Sequence, residues 1–131
     1  MLFAESDLFP RFGIVYYETK IIRRQLTFGN GTIGVGLFTS DHFYFYSSGG
    51  VVFGHNIGGF GGFPPFGEGD TIGCGVNLTS KEIMYTTNGK RLNTSNMFVV
   101  IKDMLLPAVF MHSVGDTIEA NFEPNLQLPN P

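Results

Sequence analysis

Few side chains in this chain have the chemistry for catalysis or metal binding. There is one cysteine, Cys74, and there are three histidines, His42, His55 and His112. The histidines fall in different segments, and no two share the short spacing of a metal-ligand pair. Cys74 sits in Ile72-Gly73-Cys74-Gly75-Val76, on the apolar side of an alternating strand, which predicts an inert core thiol. No Gly-x-Ser-x-Gly elbow presents a serine. Glu18 and Glu119 are the strand-borne acids. A glycosidase would need them facing each other at about 5–10 Å across a cleft lined with sugar-stacking rings, and the chain has no Trp to supply such a platform. The Gly-rich run Gly58 to Phe66 has neither P-loop nor dinucleotide spacing. The reading is a non-enzyme with no catalytic residue, no metal and no cofactor.

Such a chain works, if at all, by presenting a surface, so the elements that build the surface matter most. Gly contributes 18 of 131 residues, and the 15% of charged residues is low. Gly at that density argues against long helices and for short strands with tight turns. Ile14 to Ile21 places Tyr17, Thr19 and Ile21 on one face and Glu18 and Lys20 on the other. Ile33, Val35 and Leu37 alternate with glycines, and Ile72, Cys74, Val76 and Leu78 do the same opposite a face almost bare of side chains. Asn88-Gly89 and Gly29-Asn30-Gly31 predict hairpin turns. Residues 58–66 have no period and contain Pro64-Pro65, which predicts a loop. Residues 97–105 fit strand or loop equally. The expected fold class is all-β, an antiparallel sandwich.

Charge excludes further classes. Eight basic against eleven acidic residues give −3, with no footprint for nucleic acid or an anionic membrane. No apolar run approaches a membrane span, and residues 1–20 carry acids where a signal peptide would be apolar, so the expected location is cytoplasmic. The oligomeric state is left open.

In this order the segments resemble the SPRY (B30.2-like) domain. The residues that carry the resemblance are Gly13 to Ile21, Thr32 to Thr39, Gly69-Asp70-Thr71-Ile72-Gly73-Cys74-Gly75-Val76-Asn77-Leu78, Ile83 to Lys90, Leu106-Pro107-Ala108-Val109 and Gly115 to Phe122. The chain is similar to members of the Ran-binding group. Its runs Leu92 to Val99 and Ile118 to Phe122 also look like secreted SPRY effectors of plant-parasitic nematodes, which would act in a host cytoplasm. The resemblance implies one domain over 1–131, with core motifs over about 13–123 and with N-terminal strands of fuller members missing. It implies a bent sandwich of concanavalin-like type that binds a short peptide segment of a protein partner through loops at one edge, as an adaptor or an effector.

Carried over by motif, the partner-binding candidates are Tyr44 and Tyr46, which match the family's paired tyrosines, and His112, Ser113 and Val114 in the loop after Leu106 to Val109. Arg11 stands in the family's first loop. Asp41 and His42 remain where the family has a longer loop, often with a Trp-Gly pair, so inherited specificity is not implied. Phe45 replaces a small residue between the tyrosines and would crowd or reshape their pocket. Two other readings stay open: a lectin-like carbohydrate binder, and a hydrolase using Glu18 and Glu119.

Overall fold

The computed structural model describes residues 2–3, 13–24, 32–39, 42–54, 57–94, 97–101, 104–111 and 113–122. Among them the regular elements are all strands: β1 (Leu2–Phe3), β2 (Ile14–Arg23), β3 (Ile33–Thr39), β4 (His42–Ser47), β5 (Val52–Gly54), β6 (Ile57–Phe60), β7 (Thr71–Asn77), β8 (Ile83–Thr87), β9 (Lys90–Arg91), β10 (Leu106–Met111) and β11 (Thr117–Asn121). They form a six-stranded sheet in the order β1-β10-β3-β4-β5-β6 and a five-stranded sheet in the order β11-β2-β7-β8-β9. Every pairing is antiparallel. Among the described residues no helix is long and apolar enough to cross a membrane.

The alternation in the sequence sets the core between the sheets. Ile33, Val35 and Leu37 of β3 face Tyr17 and Ile21 of β2 and Ile72, Cys74 and Val76 of β7, all buried. Each fully buried aliphatic side chain contributes about 1.5–3 kcal/mol. Burial pushes the Cys74 thiol well above its ordinary range, which keeps it protonated in the core position its strand alternation implied. The Asn88-Gly89 turn has φ of 51° and 80°, the positive pair a tight hairpin needs. Residues 29–31 lie outside the described residues.

Two expectations change. Residues 57–60 are a strand, not loop: Ile57–Phe60 pairs with β5. Backbone ladder bonds suffice there, and Gly59 fits because a Cβ would meet Val51 Cγ1 at 2.8 Å and Phe53 Cε1 at 2.9 Å. The remainder, 61–67, is irregular, and its Phe66 enters the core. The glycine face of β7 is also not bare. The Tyr16 side chain lies across Gly73 and Gly75, its hydroxyl donating to Glu18 Oε2 at 2.7 Å and sharing a 2.7 Å hydrogen bond with Thr86 Oγ1. In 97–101, Phe98 forms a single bridge to Glu82, while Met97 and Val99 are buried.

Tyrosine hydroxyls tie the layers together. Tyr17 of the five-stranded sheet donates to the carbonyls of Gly36, at 2.6 Å, and Ala108, at 3.2 Å, in the other sheet. Tyr85 is as deeply buried, yet its hydroxyl has no hydrogen-bond partner among the described residues. An orphaned buried hydroxyl costs about 1–3 kcal/mol, whereas a satisfied one contributes about 1 kcal/mol. Tyr85→Phe is therefore expected to raise stability and Tyr17→Phe to lower it, each by about 1 kcal/mol. Denaturant melts of the two variants check this, and an equal loss in both would contradict it.

Candidate functional site

The strand register sorts the loops onto two ends of the sandwich. Met111 pairs with Ile33, and Gly34 with Ser47, so the ends of β10 and β4 and the start of β3 lie together. In the other sheet Arg23 pairs with Thr117, and Thr71 and Thr87 flank the same end. The opposite end holds Thr39 paired with His42, and Ile14 paired with Asn77. Six residue steps along β3 at about 3.3 Å each separate the two ends by about 20 Å.

Ser113 and Val114 occupy the first end, in the turn from β10 to β11. Ser113 N–H donates to Asp116 Oδ2, and Asp116 N–H donates back to the Ser113 carbonyl, both at 3.2 Å. Gly115 has φ of 95°, a conformation that favours glycine, so the turn has a defined shape. Val114 stands at its tip with 96% of its surface exposed. The same end carries the turn after β4, where Ser48 N–H donates to the Ile33 carbonyl and Phe66 N–H to the Ser48 carbonyl. It also carries the Asp70 carboxylate, which accepts from Gly67 N–H and from Asn88 Nδ2, each at 2.9 Å.

His42 stands at the other end, at the start of β4. There Thr39 Oγ1 donates to the Val100 carbonyl at 2.6 Å. Connection of β3 to β4 through only residues 40 and 41 agrees with the short loop read from the sequence. Arg11, Asp41 and His112 lie outside the described residues.

The paired tyrosines face inward. Tyr44 and Tyr46 are 1% and 0% exposed, with their rings in the core beneath the loops. Tyr44 works at the His42 end, where its hydroxyl accepts from Val100 N–H at 2.9 Å. Tyr46 works at the Val114 end: its hydroxyl donates to the Pro64 carbonyl and lies 3.1 Å from Thr87 Oγ1, and its ring packs edge-on against Phe66. Burial raises its pKa, opposed by the Thr87 hydrogen bond, so it stays a neutral donor. Phe45 points to the outer face of the six-stranded sheet, against Phe53 and Phe110, and crowds no pocket with the tyrosines.

Glu18 and Glu119 do not face each other across the layers. They lie on neighbouring strands of one sheet: Glu18 is opposite Asn121 and accepts from Tyr16, while Glu119 is opposite Lys20. Among the described residues no three His, Cys, Asp or Glu side chains cluster as metal ligands would.

Comparison with known proteins agrees with this fold. The family model of the SPRY domain matches residues 11–125. Ran-binding protein 9 of Xenopus tropicalis is 33% identical over 125 residues, covering 84% of this chain and 21% of that protein. The dual specificity protein kinase splA of Dictyostelium discoideum is 36% identical over 110 residues, 74% of this chain and 4% of the kinase. The chain thus spans about a fifth or less of these two proteins. A crystal structure of a human SPRY domain superposes with a TM-score of 0.67 at 24% identity, over 95% of this chain and 85% of that one. The SPRY domain of human HERC1 gives 0.64 at 22%, over 86% and 76%.

Proposed function

The chain belongs to the SPRY domain family, and on that premise we propose that it is a non-catalytic interaction module holding a short peptide segment of a partner protein at the end bearing Ser113 and Val114. SPRY domains typically serve protein–protein interaction; the peptide, the rim and an adaptor or effector role are the parts proposed here. The observation that carries the choice of rim is Val114, an apolar side chain 96% exposed on a turn whose shape is held by its own hydrogen bonds. An anchor already ordered loses little conformational freedom on binding, so most of its burial reaches the affinity. His42 belongs to the opposite end, so a peptide touching both would need about six extended residues. The buried Tyr46 serves as the rigid floor behind the rim.

The test begins with affinity capture from cytosol, after which peptides tiling the captured partner are titrated against the chain. Burying one valine side chain contributes about 1.5–3 kcal/mol, so Val114→Asp is expected to weaken the binding peptide at least about tenfold. The melting temperature should stay unchanged, because the replaced side chain packs against nothing. Affinity indifferent to Val114 would remove this rim from the account.

A further inference from the structure

The outer face of the six-stranded sheet has a character that peptide capture at the rim does not use. On β3, β4, β5 and β10 the side chains directed away from the core include Phe38, Phe43, Phe45, Phe53 and Phe110, separated only by glycine, alanine, leucine and serine. None of these outward positions is charged. Phe45 packs on Phe53 with ring centroids 5.1 Å apart and lies over Gly34 parallel to Phe110 at 6.2 Å. Phe43, Phe53 and Phe110 nonetheless remain 39%, 37% and 40% exposed. Contiguous apolar surface of this kind marks an interaction site more often than it is left to water.

We propose that this face is the contact between two copies of the chain, which associate reversibly, sheet against sheet, about a two-fold axis. Charge and area select that occupant. A two-fold contact sets a surface against itself, so any net charge on it is opposed by its own copy. Among the described residues the phenylalanine face has no charge to oppose, whereas the outer face of the other sheet carries Glu18, Lys20 and Glu119. The 28 residues of the six strands, in rows about 4.8 Å apart at about 3.3 Å per residue, give a face of about 440 Å² per copy. The pair would bury about 900 Å² in total, just under the roughly 1,000 Å² of a stable specific interface and the size of a weak, reversible one.

Sedimentation velocity over roughly 10 µM to 1 mM, the range where so small a contact would titrate, tests the proposal. The wild-type chain is expected to pass from monomer to dimer, Phe53→Lys to remain monomeric throughout, and Val114→Asp to dimerise as wild type does. The last result separates this contact from peptide capture at the rim. A wild-type chain monomeric at every concentration would overturn the proposal, and so would a dimer that survives Phe53→Lys. Should Phe53→Lys fail to fold, the wild type still decides: concentration-dependent amide shifts should be confined to β3, β4, β5 and β10. Shifts elsewhere, such as those from an amphipathic segment docking at another edge, would count against it.

Discussion

Gly36→Ala is expected to cost more than about 4 kcal/mol, enough to remove most of the stability of a domain this size. A Cβ at Gly36 would lie 1.7 Å from the Tyr44 carbonyl oxygen and 2.6 Å from Phe45 Cα. Both are backbone atoms of the neighbouring strand, so no rotamer change relieves the contact. The strand cannot shift either, because Gly36 is flanked by Ala108 and Phe45 in the ladder and its carbonyl accepts the Tyr17 hydroxyl. Gly49→Ala is the control, since a Cβ there meets nothing within 4 Å. Thermal unfolding by circular dichroism should show Gly49→Ala melting near the wild type. Gly36→Ala should lack a cooperative transition or melt at least about 15 °C lower. A shift of only a few degrees would mean that β3 and β4 do not approach as closely as described.

The second large effect is expected at Gly73. A Cβ there would sit 2.1 Å from the Tyr16 hydroxyl and 2.2 Å from Thr86 Oγ1. Thr86 is fully buried and cannot retreat, so the Tyr16 ring must leave. Gly73→Ala should therefore cost about 2–4 kcal/mol, from overpacking and a lost hydrogen-bond group together. It also has a spectroscopic signature. Burial holds the Tyr16 phenol far above its ordinary pKa, with the Glu18 carboxylate adding to the rise and the Thr86 hydrogen bond opposing it. Displacing the ring should return that phenol toward pH 10 in an absorbance titration. Unchanged stability together with unchanged titration would show that the glycine face of β7 is open after all.

Particular residues show how much of this was legible beforehand. The alternation of Ile33, Val35 and Leu37, and of Ile72, Cys74 and Val76, predicted both the strands and their inward faces, because a period of two admits one solution when half the positions are glycine. Asn88-Gly89 predicted its hairpin from the positive φ it requires. Ile57–Phe60 was not legible, since a strand of two glycines between apolar residues has no period and is ordered by its partner β5 alone. The same limit applies to what lies on a glycine face: Tyr16 folds across Gly73 from a neighbouring strand, a tertiary choice invisible in the local pattern.

The candidate site was legible as a set of loops and not as one surface. Alternation puts Tyr44 and Tyr46 on the opposite face from Phe43 and Phe45, but it does not say which pair turns inward. The tyrosines do so because Val100 N–H, the Pro64 carbonyl and Thr87 Oγ1 supply partners for their hydroxyls in the core. Nothing local marks those partners, which are 18 to 56 residues away along the chain. The division of His42 from Ser113 and Val114 likewise follows from the pairing of Met111 with Ile33 and of Thr39 with His42. It takes the register of two strand pairs to see it.

Amide chemical-shift mapping, with a peptide from the captured partner added to the labelled chain, tests the peptide-binding account most directly. The account predicts perturbations clustered at residues 113–116 and at the neighbouring turn after β4. The His42 end and the phenylalanine face of the six-stranded sheet should stay silent. Perturbations centred on His42 and Val100, with Val114 unmoved, would contradict it.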